Sequence, residues 1–121
     1  MPGNKYDGAS SMYNIAKDKW TVGPTMSVPR WKHSCCILGD ILYAIAGNDQ
    51  RNLATRSIES VNALDLMNGK KVKAWRLHDI YTTNNLYFES RESPLVAPIN
   101  ETSIVIMGGS PHYDTISIYN V

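Results

Sequence analysis

From residue 11 onward, short apolar runs alternate with polar turns, and no stretch keeps a helical period. Ser11-Met12-Tyr13-Asn14-Ile15 and Lys19-Trp20-Thr21-Val22 flank the polar turn Ala16-Lys17-Asp18, the spacing of a hairpin. Lys32 to Leu38 meets Ile41 to Ala46 through Gly39-Asp40, a two-residue loop whose residue types tolerate positive φ. The pattern predicts a third strand over Ile58 to Leu66, a turn at Asn68-Gly69, and a fourth strand over Val72 to Leu77 that carries Trp75. Together these make a four-stranded antiparallel meander. Leu95 to Pro98, Ser103 to Met107 and Thr115 to Val121 predict three strands of a further sheet, the first two joined at Asn100-Glu101-Thr102. Ile41 to Ala46 and Ser103 to Met107 are apolar at successive positions, so both faces of these strands are expected to be covered by neighbouring sheets. Tyr13, Trp20, Trp75 and Tyr119 supply large surfaces for such stacking, with Trp20 and Trp75 expected at equivalent positions of successive sheets.

The same order of parts occurs twice. Arg30 leads to Ile41-Leu42-Tyr43-Ala44-Ile45-Ala46-Gly47, and Arg91 leads to Ser103-Ile104-Val105-Ile106-Met107-Gly108-Gly109. Arg91 follows Arg30 by 61 positions and Gly109 follows Gly47 by 62. Tyr13-Asn14 before Trp20 answers Leu64-Asp65 before Trp75, and Tyr119-Asn120 begins the pattern again. Self-similarity at this period is the mark of stacked supersecondary units.

This arrangement resembles the kelch repeats of β-propellers, whose pattern runs from an Arg with a nearby His, through a strand ending in Gly-Gly, to a Tyr-Asp or Tyr-Asn pair and then a Trp. Arg30, His33, Tyr43, Gly47, Leu64-Asp65 and Trp75 meet it in the first copy, and Arg91, Gly108-Gly109 and Tyr119-Asn120 in the second. Ala46 replaces the first glycine of the first copy, Leu64 replaces the aromatic, and Pro94 stands where the second copy would have its His. The resemblance covers about residues 11 to 121 and implies an all-β fold, an incomplete kelch-like β-propeller of four-stranded antiparallel blades. The division expected is an N-terminal tail over 1–10, a partial blade over 11–29, a complete blade over 30–77, a long connecting loop over 78–90 and a partial blade over 91–121. Propellers close with about 4–8 blades, so completion by further blades or self-association is expected.

Composition changes this picture little. A formal net charge of +1 offers no bulk electrostatic attraction to nucleic acid or membrane, the N-terminal residues are polar, and no apolar run approaches the ~18 residues of a span. A cytoplasmic location is the expectation. Cys35 and Cys36 are adjacent in a predicted strand, where side chains alternate in direction, so they read as reduced core thiols. Motifs for hydrolase, zinc-peptidase, phosphate and dinucleotide chemistry are missing from the sequence. His33 and Cys35 would share a strand face, but two ligands do not make a metal site, and a His bonded to backbone is the plainer reading. The expectation is therefore no catalytic residue, no metal and no cofactor. Asn100-Glu101-Thr102 matches a glycosylation sequon but serves equally as a polar turn.

In such a meander the second-to-third connections and the links between blades emerge on one end, and the hairpin turns on the other. The stretch Asn48 to Arg56 and the stretch His78 to Ser90 are long and polar, the second with aromatics, whereas the turns opposite read as short. Longer loops are where binding residues concentrate. Binding of a protein partner is thus expected through Gln50, Arg51, Asn52, Arg56, Tyr81, Tyr87, His112 and Tyr113. The alternatives are a carbohydrate-active domain of propeller type, which the resemblance also allows, and a structural component of a larger assembly.

Overall fold

The computed structural model describes residues 8–78, 91–111 and 115–121. Nine strands and one short helix follow in the order β1 (Ser11–Asn14), β2 (Lys19–Val22), β3 (Ser34–Leu38), β4 (Ile41–Ile45), β5 (Ile58–Asn62), α1 (Ala63–Met67), β6 (Arg76–His78), β7 (Leu95–Pro98), β8 (Ser103–Met107) and β9 (Ile116–Asn120), all counted among the described residues. They form three antiparallel sheets in sequential order: β1-β2, β3-β4-β5-β6 and β7-β8-β9. The hairpins and the complete meander expected from the sequence are present.

Two strand predictions need correction. The third strand ends at Asn62 and not at Leu66, because the Asn62 side chain accepts from the Asp65 N–H (2.9 Å) and caps α1 in its place. Asn68 and Gly69 then close that helix, Gly69 at φ 75 with its N–H on the Leu66 carbonyl (3.1 Å), so the turn signal was a helix C-terminus. The fourth strand covers only Arg76–His78. Trp75 lies before it, its N–H and indole Nε1 donating to Thr25 O (3.1 Å) and Pro24 O (3.2 Å). Trp20 does not share that environment. It lies within β2, paired to Tyr13 and 71% exposed, whereas Trp75 is 8% exposed.

β4 is covered on both faces, as its unbroken apolar run required. Tyr43, Ile45 and Ile58 pack against Ile104, Ile106 and Tyr119 of the third sheet, and Ala44 and Val61 pack on the other side against Met26 and Trp75. Register explains the division: Cys36↔Tyr43↔Ser60 share one face and Cys35↔Ala44↔Glu59 the other. The two cysteines thus point to opposite faces, Cys36 half-buried and Cys35 exposed, so only the former has the core character expected of both.

The repeat is legible atom by atom. Arg30 Nη1 donates to Ala46 O and Ser57 O, both at 3.0 Å, while Arg91 Nη1 donates to Gly108 O (2.9 Å) and Thr115 O (3.4 Å). Trp31 bridges Asn48 as Glu92 bridges Ser110. Lys32 and Ser93 both take positive φ (54 and 55), as do Ala46 and Gly108 (61 and 62) and Gly47 and Gly109 (91 and 87).

Each arginine therefore fastens the end of one strand to the start of the next within its own sheet. Between the sheets, Gly47 N donates to Arg91 O (2.9 Å), Ser93 N to Lys32 O (2.6 Å) and the Ser34 hydroxyl to Pro94 O. Glycine is required at Gly47, where an added Cβ would stand 2.6 Å from Trp31 O.

Candidate functional site

Residues 46–57, between β4 and β5, leave the sheet at the same end as the residues leading into β3 and β7. Asp49 organises the tip. Its Oδ1 accepts from Arg51 N (2.9 Å) and Leu53 N (3.3 Å), and its backbone carbonyl accepts from Asn52 N (2.9 Å), placing Asn52 at φ 61. Asn48 below it is buried, bridging to Trp31 with N–H to O distances of 2.7 and 3.0 Å. Its Nδ2 donates to Glu92 Oε2 (2.6 Å) and to Asn52 Oδ1 (3.3 Å). Lys32 stands 3.5 Å from Glu92 Oε1, with its ammonium 4.7 Å from the Trp31 ring centroid. A polar seam of Trp31, Lys32, Asn48 and Glu92 thus joins the second and third sheets under the loop.

The structure places the sequence-predicted site residues unevenly. Gln50, Arg51 and Asn52 are exposed on the loop tip, and Arg56 is half-buried on its descending arm. Tyr81, Tyr87, His112 and Tyr113 lie outside the described residues. Arg51, expected to contact a partner, already holds a carboxylate of its own chain: Nη2 and Nε reach Asp49 Oδ2 at 2.7 and 3.2 Å. That fork raises the Arg51 pKa and lowers that of Asp49. The Arg51 end stays exposed while the Asp49 carboxylate is largely covered, so the tip presents an ordered, paired guanidinium rather than a lone cation.

Trp31, Lys32, Asn48 and Glu92 were missed by sequence reasoning. The signal was available in the repeat, since Trp31 and Glu92 both directly follow the repeated arginines.

The titrating groups near this end and its sheets are set by burial. His33 is pushed below its usual pKa by burial and then by Arg30, and His78 by burial and Arg76. His78 Nε2 lies 2.7 Å from Ser60 Oγ, with Tyr119 edge-on at 6.3 Å. Burial pushes the half-buried Cys36 thiol up, which disfavours the thiolate that redox or ligand chemistry would use. Among the described residues no three His, Cys, Asp or Glu side chains gather as a metal set, and no helix is long and apolar enough to cross a membrane. What the loop end offers chemically is hydrogen bonding, an ordered ion pair and an aromatic face.

No protein-family model matches the chain, and no curated protein matches it.

Proposed function

We propose that this chain contributes blades to a kelch-like β-propeller and serves as a protein-binding module, with its contact surface at the end bearing the 48–56 loop. The observation that carries the reading is the repeated arginine cradle: Arg30 on Ala46 and Ser57, Arg91 on Gly108 and Thr115. It ties the Arg and Gly positions of the kelch-like pattern to one recurrent backbone geometry. Consecutive sheets stacked face to face, each a meander, are the packing that blades use. The loop end supports a recognition role because Asp49 and Asn48 hold Gln50, Arg51 and Asn52 in an ordered tip, and ordered polar loops lose less freedom on binding.

The test begins with a partner captured by the chain and purified. Replacing Arg51 and Arg56 with Ala is expected to weaken binding about 30-fold, on the order of 2 kcal/mol for a lost hot-spot contact. Asp40→Ser and Glu101→Ser, on turns at the opposite end, should leave it unchanged. Unchanged affinity for the arginine variant with weakening for the turn variants would place the contact at the wrong end.

A further inference from the structure

The end opposite that loop is not the bare row of tight turns the sequence suggests. Because β5 stops at Asn62, the connection to β6 holds α1 and the residues to Trp75, beginning beside the β3–β4 turn where Ala63 N donates to Asp40 O (2.8 Å). The β1-β2 hairpin stands across from this connection, leaving a cleft of about 1150 Å³ between them. Five lysines line it: Lys17 and Lys19 from the hairpin side, Lys70, Lys71 and Lys73 from the connection. All five are exposed. The whole chain carries a net charge of only +1, so this is a strong local segregation of cations. Two carboxylates stand near them. Asp18 accepts from the Tyr13 hydroxyl, and Asp65 lies 3.8 Å from Lys70.

Between the lysines the wall is apolar. Met12, Leu66 and Val72 line the cleft, together with Met67 and Val22, which are 80% and 86% exposed. Exposed apolar surface rimmed by one sign of charge marks a recognition site, and methionine side chains adapt to varied apolar partners.

We propose that this cleft binds an acidic, amphipathic peptide segment of a partner protein, its carboxylates on the lysine rim and its apolar residues against Met67, Leu66 and Val72. Charge complementarity selects the sign of the ligand, and the apolar wall selects a peptide over a bare polyanion. A nucleic acid would call for stacking platforms and guanidinium forks, whereas the lining has one aromatic ring, Tyr13, and no arginine. The cleft lies at the end of the sheets away from Arg51, so it is a second contact surface, independent of the first.

A random dodecapeptide library displayed on phage and selected on the full chain supplies the probe, and the enriched peptides are then labelled for fluorescence anisotropy. Expected are sequences interleaving Asp or Glu with Leu, Ile or Phe, whose affinity falls steeply between about 50 mM and about 500 mM salt. Lys71→Glu/Lys73→Glu and, separately, Lys17→Glu/Lys19→Glu should each weaken binding about tenfold or more, while Asp40→Asn leaves it unchanged. These lysines are exposed, so each variant should keep the parent's circular dichroism and melting curve; two pairs on opposite walls guard against one that does not. Replacing the peptide's apolar residues with Ser should also cost about tenfold. Enriched peptides without acidic bias, equal binding by both charge-reversed variants, or tighter binding of polyglutamate or a single-stranded DNA oligomer than of the selected peptide would overturn the proposal.

Discussion

Arg30 and Glu59 form an ion pair with both side chains fully out of water, Nη2 standing 2.7 Å from Oε2. The carboxylate is also held by Ser27 N (2.5 Å) and Val28 N (2.9 Å), so one buried pair ties the segment ahead of β3 to the middle of β5. Burial lowers the Arg30 pKa, and the hydrogen bond it donates to Glu59 resists that fall. Breaking one side of such a pair leaves an uncompensated charge, at a cost of roughly 3–5 kcal/mol. Arg30→Ala and Glu59→Ala are each expected to lower stability by that amount in urea denaturation followed by circular dichroism. The double variant Arg30→Ala/Glu59→Ala should lose less than the sum of the two single changes. Additive losses in that cycle would mean the two side chains act independently.

Gly47 and Gly39 make a matched comparison, since both have positive φ but only one is crowded. Alanine at Gly39 meets nothing within 4 Å and should cost about 1–2 kcal/mol from backbone conformation alone. Alanine at Gly47 would press on Trp31 O and on His33 Cβ and N, at 2.6 and 2.8 Å, with φ at 91. Gly47→Ala is expected to lose clearly more, read as a lower urea midpoint, and to loosen the joint with the third sheet because Gly47 N donates to Arg91 O. Equal losses at the two positions would remove the argument.

Stability should fall as the solution is acidified. His33 and His78 both have folded-state pKa values pushed down by burial, so below the unfolded value of about 6.5 the unfolded chain binds more protons than the folded one. The contribution is fully present above that value and is lost as pH falls through it toward the depressed folded values. Replacing both with Gln should flatten the slope of unfolding free energy below about pH 6.5. A slope unchanged in the double variant would assign it to other groups.

The third sheet turns an apolar face outward. Leu95 and Ile116 are 63% and 67% exposed and sit on one register row through Met107, with Ile118 beside them. In the second sheet the corresponding face is covered by the third. The 121-residue chain on its own is therefore expected to associate, and Ile116→Ser/Ile118→Thr should shift it toward monomer in light scattering during gel filtration. A monomer peak for the parent would sink this expectation.

What the sequence made legible was whatever lies in neighbouring residues. Gly39-Asp40 predicted the β3–β4 hairpin, and the apolar run Ile41 to Ala46 predicted two-sided burial of β4. The β5 boundary was missed because Leu64 and Leu66 continue an alternation that suits a strand, while Asn62, a polar residue among them, acts as a helix cap once folded. The expected equivalence of Trp20 and Trp75 failed for a tertiary reason: Trp75 finds Met26, Val61 and two backbone carbonyls around it, and nothing near Trp20 in sequence reveals that it lacks such cover. At the loop site, Arg51 and Asn52 could be singled out by type. That Asp49 would claim the Arg51 fork, and that Glu92 would reach Asn48 across 44 positions, depends on the stacking of the sheets.

The bonds between the second and third sheets also bear on the order of events in folding. Ser34 reaches Pro94 across 60 positions, whereas the β3 and β4 strands are neighbours in the chain. Loop-closure entropy grows with separation, so the meanders are expected to close on themselves first and the seam at Lys32 and Ser93 to zip late. A change at the Gly39-Asp40 turn should then show mainly in the folding limb of a chevron plot, and a change at the seam mainly in the unfolding limb. The joint that aligns the loop end would be the last part of the chain to form and the first to come apart.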